Sequence, residues 1–234
     1  MTKILKKYLG VLAALPFLLV PTISGAIEVG YAVGVGLTGA SLHTKGTETD
    51  AEGTVHAGNV KDSKAMEYPS IFGEVRFNIA DRLGLTLGAS LIPGNAEFVK
   101  ETKGDTDLTD KDSGAGSTGT STITGTIKNY QKIYIQPTVR ITDVFTVYVT
   151  AGITSMDVEG DATLVTSTNF NKTVSVDGTR FGAGVMAEGT NGFFVKLEGN
   201  VQDYDQFKFT TSDSNVATVD VKENNVSLLI GKAF

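Results

Sequence analysis

Apolar and polar residues alternate with a period of two through most of the chain after residue 27. No stretch there carries the 3.6-residue stripe of an amphipathic helix. Eight segments show the alternation. The first sets Val29, Tyr31, Val33, Val35 and Leu37 against Gly30, Ala32, Gly34 and Gly36. The second sets Ile71, Val75, Phe77 and Ile79 against Ser70, Glu74, Arg76 and Asn78. The third has Leu83, Leu85, Leu87, Ala89 and Leu91 on one face, and the fourth Ile133, Ile135, Val139 and Ile141. The fifth is the clearest, with Phe145, Val147, Val149, Ala151 and Ile153 against Thr146, Tyr148, Thr150, Gly152 and Thr154. The sixth follows with Phe181, Ala183, Val185 and Ala187, and the seventh with Phe193, Val195, Leu197 and Val201. In the last, Val226, Leu228, Ile230 and Phe234 share a side. The apolar face is thus odd-numbered through the seventh segment and even-numbered in the eighth.

The connections alternate in length. Long ones lie at about 44–66, 99–128, 157–178 and 205–221, rich in Gly, Ser, Thr, Asp and Lys. Short ones lie at Asp81-Arg82, Thr142-Asp143 and Thr190-Asn191-Gly192. This rhythm predicts an all-β fold, an eight-stranded antiparallel up-and-down transmembrane β-barrel with both termini at the short-turn end. Ten strands require an extra hairpin from Ala162–Val165 and Thr173–Val176; the favoured reading has those residues lengthen strands five and six. A soluble sandwich also alternates. Against it, each apolar face runs four to five positions, the length a tilted strand needs to cross a bilayer. Phe77, Phe145, Phe193, Phe234 and Tyr31 also gather at the short-turn end, as an interfacial girdle does. Pro137 falls inside the fourth segment, where a closed barrel has no free edge, so a bulge or a missing ladder bond is expected.

The start of the chain has a different character. Lys3, Lys6 and Lys7 precede the apolar run Val11–Val20, and Ser24-Gly25-Ala26 supplies small residues for cleavage. Residues 1–26 therefore read as a cleaved secretory signal peptide, and residues 27–234 as the barrel with four long extracellular loops. Removing the three lysines takes the net charge from −6 to −9, which argues against a nucleic-acid partner. There is no cysteine, so neither disulfides nor thiolate chemistry enter.

Charge on the polar face adds physical content. Glu74, Glu188 and Glu198 oppose Arg76, Arg140, Arg180 and Lys196. Inside a narrow barrel unpaired charges are costly, so an interleaved salt-bridge network is expected. Glycines on the first, third and sixth segments leave room for Arg and Tyr side chains. Eight strands enclose a space that side chains can fill.

The C-terminal stretch Val226-Ser227-Leu228-Leu229-Ile230-Gly231-Lys232-Ala233-Phe234 resembles the assembly signal of bacterial outer-membrane barrels. Val226, Leu228, Ile230 and Phe234 fit its pattern; Lys232 departs from the apolar residue usual two before the end, and can snorkel at the interface. With the leader and the loop rhythm, the whole mature chain resembles the small eight-stranded barrel superfamily that includes the opacity proteins. The resemblance implies the outer membrane of a Gram-negative bacterium, contact with its lipid, and assembly by the barrel-assembly machinery through the last strand. It does not fix an activity.

Candidate chemistry is sparse. Ser41 and His43 lie close in sequence with no oriented acid, and His43 and His56 read as solvated loop residues. Asp105, Asp107, Asp110 and Asp112 sit in a Gly/Ser/Thr-rich loop without the pattern of a calcium loop. No catalytic group, metal site or cofactor is expected. The expected function is that of a monomeric structural or surface-interaction barrel with a filled interior, serving adhesion or envelope integrity through its loops. The alternative is a narrow porin-like channel for small solutes or ions.

Overall fold

The computed structural model describes residues 28–49, 55–104, 120–163, 170–210 and 216–234. The expected signal peptide and the Asp105–Asp112 loop lie outside these residues. Ten strand segments follow one another: β1 (Glu28–Thr49), β2 (Val55–Ala80), β3 (Leu83–Leu91), β4 (Ala96–Gly104), β5 (Thr120–Arg140), β6 (Phe145–Thr163), β7 (Phe170–Glu188), β8 (Phe193–Tyr204), β9 (Phe207–Thr210) and β10 (Val216–Ala233).

They make a ring of eight. β3 and β4 both pair with β5 and share one position in the ring, and β8 and β9 both pair with β10 and share another. Pro93-Gly94-Asn95 interrupts the first composite strand, with Gly94 at φ 98° in the left-handed region that favours glycine. β1 pairs with β10 antiparallel from Ala32↔Ala233 to Thr49↔Val216, which closes the sheet on itself. Tyr31 and Phe234 complete the seam, Tyr31 N donating to Phe234 O at 3.2 Å and Phe234 N to Tyr31 O at 2.8 Å. A closed sheet has no edge, so its backbone groups are satisfied without water, as a lipid environment demands.

The lower part of the wall carries the apolar side chains outward. Val33, Val35 and Leu37 of β1, Val149 of β6, Phe181 of β7, Leu197 of β8 and Val226 of β10 are each more than half exposed. Phe145, Phe193, Phe234 and Tyr31 are exposed in the same way at the short-turn end. From Tyr31 to Gly39 the outward band of β1 covers nine residues. At about 3.3 Å per residue and a tilt of about 40°, that is roughly 23 Å, the height of the apolar band of an outer-membrane barrel.

Above this band the strands continue and their polarity inverts. On β1 the outward residues become Ser41, His43 and Lys45, while Ala40 and Leu42 turn apolar groups inward. The same inversion, with the inward positions keeping their parity, occurs at Met66 and Tyr68 on β2, Ile92 and Ala96 on the third position, Met156 on β6, Val176 on β7 and Val221 on β10. These residues form one apolar cluster that fills the barrel above the band. Within the segments expected as loops at 44–66, 99–128, 157–178 and 205–221, residues 44–49, 55–66, 99–104, 120–128, 157–163, 170–178, 207–210 and 216–221 are strand. The physical reason is solvent: where water bathes the outside, the interior is the place to bury apolar surface.

Two irregularities adjust β5. A bulge between Lys128 and Gln131, with Asn129 at φ 53°, moves Ile127 to the inward face. The odd-outward rule for the fourth strand therefore holds only below this bulge. At Pro137 there is no bulge; the ladder to β6 lapses at Gln136–Pro137 and resumes at Thr138 in the same register.

Candidate functional site: the barrel interior

Inward positions follow from parity, and their neighbours follow from register. At the short-turn end the interior opens as a cavity of about 690 Å³, with Arg76, Thr138, Arg140, Met186, Glu188 and Lys196 among its lining residues. Phe72, Phe194, Ala32 and Leu229 pack as a small apolar cluster beside it. The Arg76 guanidinium stacks over the Phe194 ring at 4.2 Å.

The charges meet at the inner side of this vestibule. Arg76 Nη1 donates to Glu188 Oε2 at 2.7 Å, while its Nε and Nη2 donate to Glu74 Oε2 at 3.2 and 3.1 Å. Glu74 Oε1 accepts from Lys196 Nζ and, at 3.0 Å, from Tyr134 OH. Lys196 Nζ also donates to Gln136 Oε1 at 3.1 Å, and Gln136 Nε2 donates to Glu198 Oε2 at 2.9 Å. Arg180 Nη2 ends the chain on Glu198 Oε1 at 2.6 Å. Gln136, which the sequence reading did not single out, thus bridges two sets of ion pairs. Glu74, Lys196, Glu198 and Arg180 are buried, whereas Glu188 retains 31% of its side-chain surface.

Of the seven charged residues named from sequence, this arrangement brings together six. Arg140 is the correction: it is exposed at the end of β5 and makes no ion pair among the described residues. Its backbone N donates to Arg82 O across the turn at 2.8 Å. Parity assigns a residue to a face; it does not say that the strand still has a wall opposite it at that height. The room left by glycines goes to rings and an amide. A Cβ at Gly88 would come within 2.2 Å of the Tyr134 ring, one at Gly34 within 2.4 Å of Phe72, and one at Gly182 within 2.2 Å of Asn200 Oδ1.

Higher up lies a layer that the sequence reading missed. Glu223, 1% exposed, accepts from Tyr68 OH at 2.9 Å, Asn225 Nδ2 at 2.7 Å and Tyr204 OH at 2.7 Å. Tyr130 OH donates to Gln202 Oε1 at 3.3 Å, and Asn200 Nδ2 to Asn225 Oδ1 at 2.9 Å. Tyr68, Tyr130 and Tyr204 turn their rings into the apolar cluster above. Lys132 is buried as well, on the inward face of β5. Parity alone reaches Lys132, two residues from the inward Tyr134, whereas Glu223 lies before the segment whose alternation is plain in the sequence.

The outward candidates separate from this interior. Ser41 and His43 sit on the outer face of β1 above the apolar band, in strand and not in a loop. Further along that rim Lys222 Nζ donates to Asp203 at 2.7 Å, which holds its ammonium pKa above the usual lysine value. Val226, Leu228, Ile230 and Phe234 are exposed along the outer face of β10. Lys232, between them, donates to Asn191 O at 2.6 Å and lies 4.5 Å from the Phe193 ring centroid.

A closed sheet with an apolar outer band and a charged, filled interior is a membrane-spanning β-barrel. Residues 10–231 match the family model described as outer membrane protein beta-barrel domain, and the chain belongs to that family. Its place is the outer membrane. No curated protein matches it significantly in sequence. Among solved structures it is similar to Ail, the attachment invasion locus protein of Yersinia pestis, at 13% identity over 87% of this chain and 98% of that one, TM-score 0.43. It is also similar to the outer membrane protease OmpT of Escherichia coli, at 10% identity over 92% and 100% of the chains, TM-score 0.44. Neisserial surface protein A is similar at 11% identity over 87% and 99%, TM-score 0.38.

Proposed function

We propose that this protein is a non-enzymatic, monomeric outer-membrane barrel whose sealed interior makes it a scaffold for surface interaction or envelope integrity. One observation carries the reading. The interior is filled at three successive heights, by the Arg76-to-Arg180 ion-pair chain, by the tyrosine layer around Glu223, and by the apolar cluster of Met66, Ile92, Met156 and Val176. A diffusion channel needs a continuous wet path, and the apolar layer opposes one. The vestibule at the short-turn end fits the same reading as a closed pocket leading to the ion pairs.

In this reading the termini and short turns face the periplasm, and the tips joining the extended strands face outward. Recognition then resides in those tips, carried above the membrane by a wall with its own apolar core. The last strand, with Val226, Leu228, Ile230 and Phe234 outward, serves as the signal to the assembly machinery. The test is twofold. Shortening each tip should leave a barrel that still migrates in a heat-modifiable way on gels, while binding of whole cells to surfaces falls. Vesicles carrying the protein should not swell in isotonic sugars or amino acids. Swelling at a rate set by solute size would favour the narrow-channel reading instead.

A further inference from the structure

Part of the barrel interior holds polar groups that the protein's own side chains leave unpaired, among them Arg180 Nε, the hydroxyls of Ser90 and Thr154 and the acceptor Asn200 Oδ1. Each buried carboxylate is already occupied. Glu74 accepts from Arg76 Nε and Nη2, Tyr134 and Lys196. Glu198 accepts from Arg180 Nη2, Asn200 and Gln136. Glu223 accepts from Tyr68, Asn225 and Tyr204. Lys132, 5% exposed, makes neither a hydrogen bond nor an ion pair among the described residues, and its ammonium carries donors only. Arg180 Nε, on a side chain 2% exposed, is likewise without a partner.

Register gathers these groups. Lys132 on β5 lies directly opposite Ser90 on β3 and Thr154 on β6. The hydroxyls of Ser90 and Thr154 are both buried and both unpartnered. Lys132 Nζ lies 6.0 Å from the ring centroid of Tyr134, two residues along its own strand. Tyr134 is opposite Gly152, and Gly152 is opposite Arg180. Lys132 and Arg180 thus stand on neighbouring inward rows of the wall.

Buried polar groups are almost always paired, by protein or by ordered solvent. Lys132 Nζ and Arg180 Nε can only donate, so a water between them would have to place its own two hydrogens on the hydroxyls of Ser90 and Thr154 or on Asn200 Oδ1. A small anion supplies acceptors alone, to a lysine whose facing carboxylates, Glu198 and Glu223, already accept from other donors. We propose that Lys132, Arg180 Nε, Ser90 and Thr154 form an internal binding site for a small inorganic anion of halide size.

The test uses the intact folded protein in detergent. Crystals grown in bromide in place of chloride should give one anomalous peak within hydrogen-bond distance of Lys132 Nζ, absent from K132M crystals grown in the same way. In parallel, chloride should raise the unfolding temperature of the wild type saturably relative to gluconate at equal ionic strength, and this increment should vanish in K132M. Ordered water alone at Lys132 overturns the proposal. So does a peak that survives K132M, which marks an adventitious ion only, or an unfolding temperature indifferent to halide. Should K132M fail to fold, the bromide map of the wild type decides the matter by itself.

Discussion

At the scale of residues, the interior depends on matched charges. Arg180 and Glu198 meet at 2.6 Å with almost no exposed surface. Removing one partner of such a pair leaves an uncompensated buried charge and costs about 3–5 kcal/mol, whereas removing both costs much less. We expect Arg180→Met to lower the unfolding free energy, measured by urea titration from lipid vesicles, by that order. The double variant R180M/E198Q should recover most of the loss. Gln136 contributes differently, since it is neutral and links Lys196 to Glu198. Arg140, exposed at the rim, should be replaceable by Gln with no measurable change in stability.

At the scale of elements, each strand is one ribbon with two solvents. In the lower band the outward face meets lipid, and above it the inward face meets the apolar cluster. Because the chain has no cysteine, single cysteines report this directly. Val185→Cys should react with a lipid-soluble reagent, Lys45→Cys with a water-soluble one, and Val176→Cys with neither until the barrel unfolds. Val185→Arg should destabilise by about 2–4 kcal/mol, the cost of a cation on the lipid face near the midplane. On β10, deleting Phe234 should reduce the fraction of chain assembled in the outer membrane, measured by heat-modifiable migration in membrane fractions.

The lower band was legible in the sequence because its contrast is large: Val, Leu and Phe alternate with Gly, Thr and charged residues over whole segments. The eight positions of the ring, the short turns, the seam and most of the interior charges follow from that alternation. The upper barrel was not read, for a physical reason. Its apolar residues, such as Val174, Val176, Val219 and Val221, are spaced among Thr, Lys and Asp, and they take the opposite parity to the band below. A segment that changes parity midway resembles a patternless loop, although the switch itself marks where lipid gives way to water. Glu223 was lost for the same reason, because the last strand was begun at Val226 and it begins at Val216. The missed Gln136 is of another kind: a neutral amide becomes important only when its neighbours across the barrel are known.

At the scale of the whole molecule, a membrane barrel and a water-bathed barrel are stacked on the same eight strands. The first is apolar outside and charged within, and the second is polar outside and apolar within. Their junction is the layer where Tyr68 and Tyr204 point hydroxyls to Glu223 and rings to the apolar cluster. The central claim is that this stack closes the bore. Purified protein in planar bilayers measures it most directly. The account predicts no stable conductance above background under applied voltage in either direction. A reproducible step conductance that changes when Arg76 or Glu198 is substituted would contradict it.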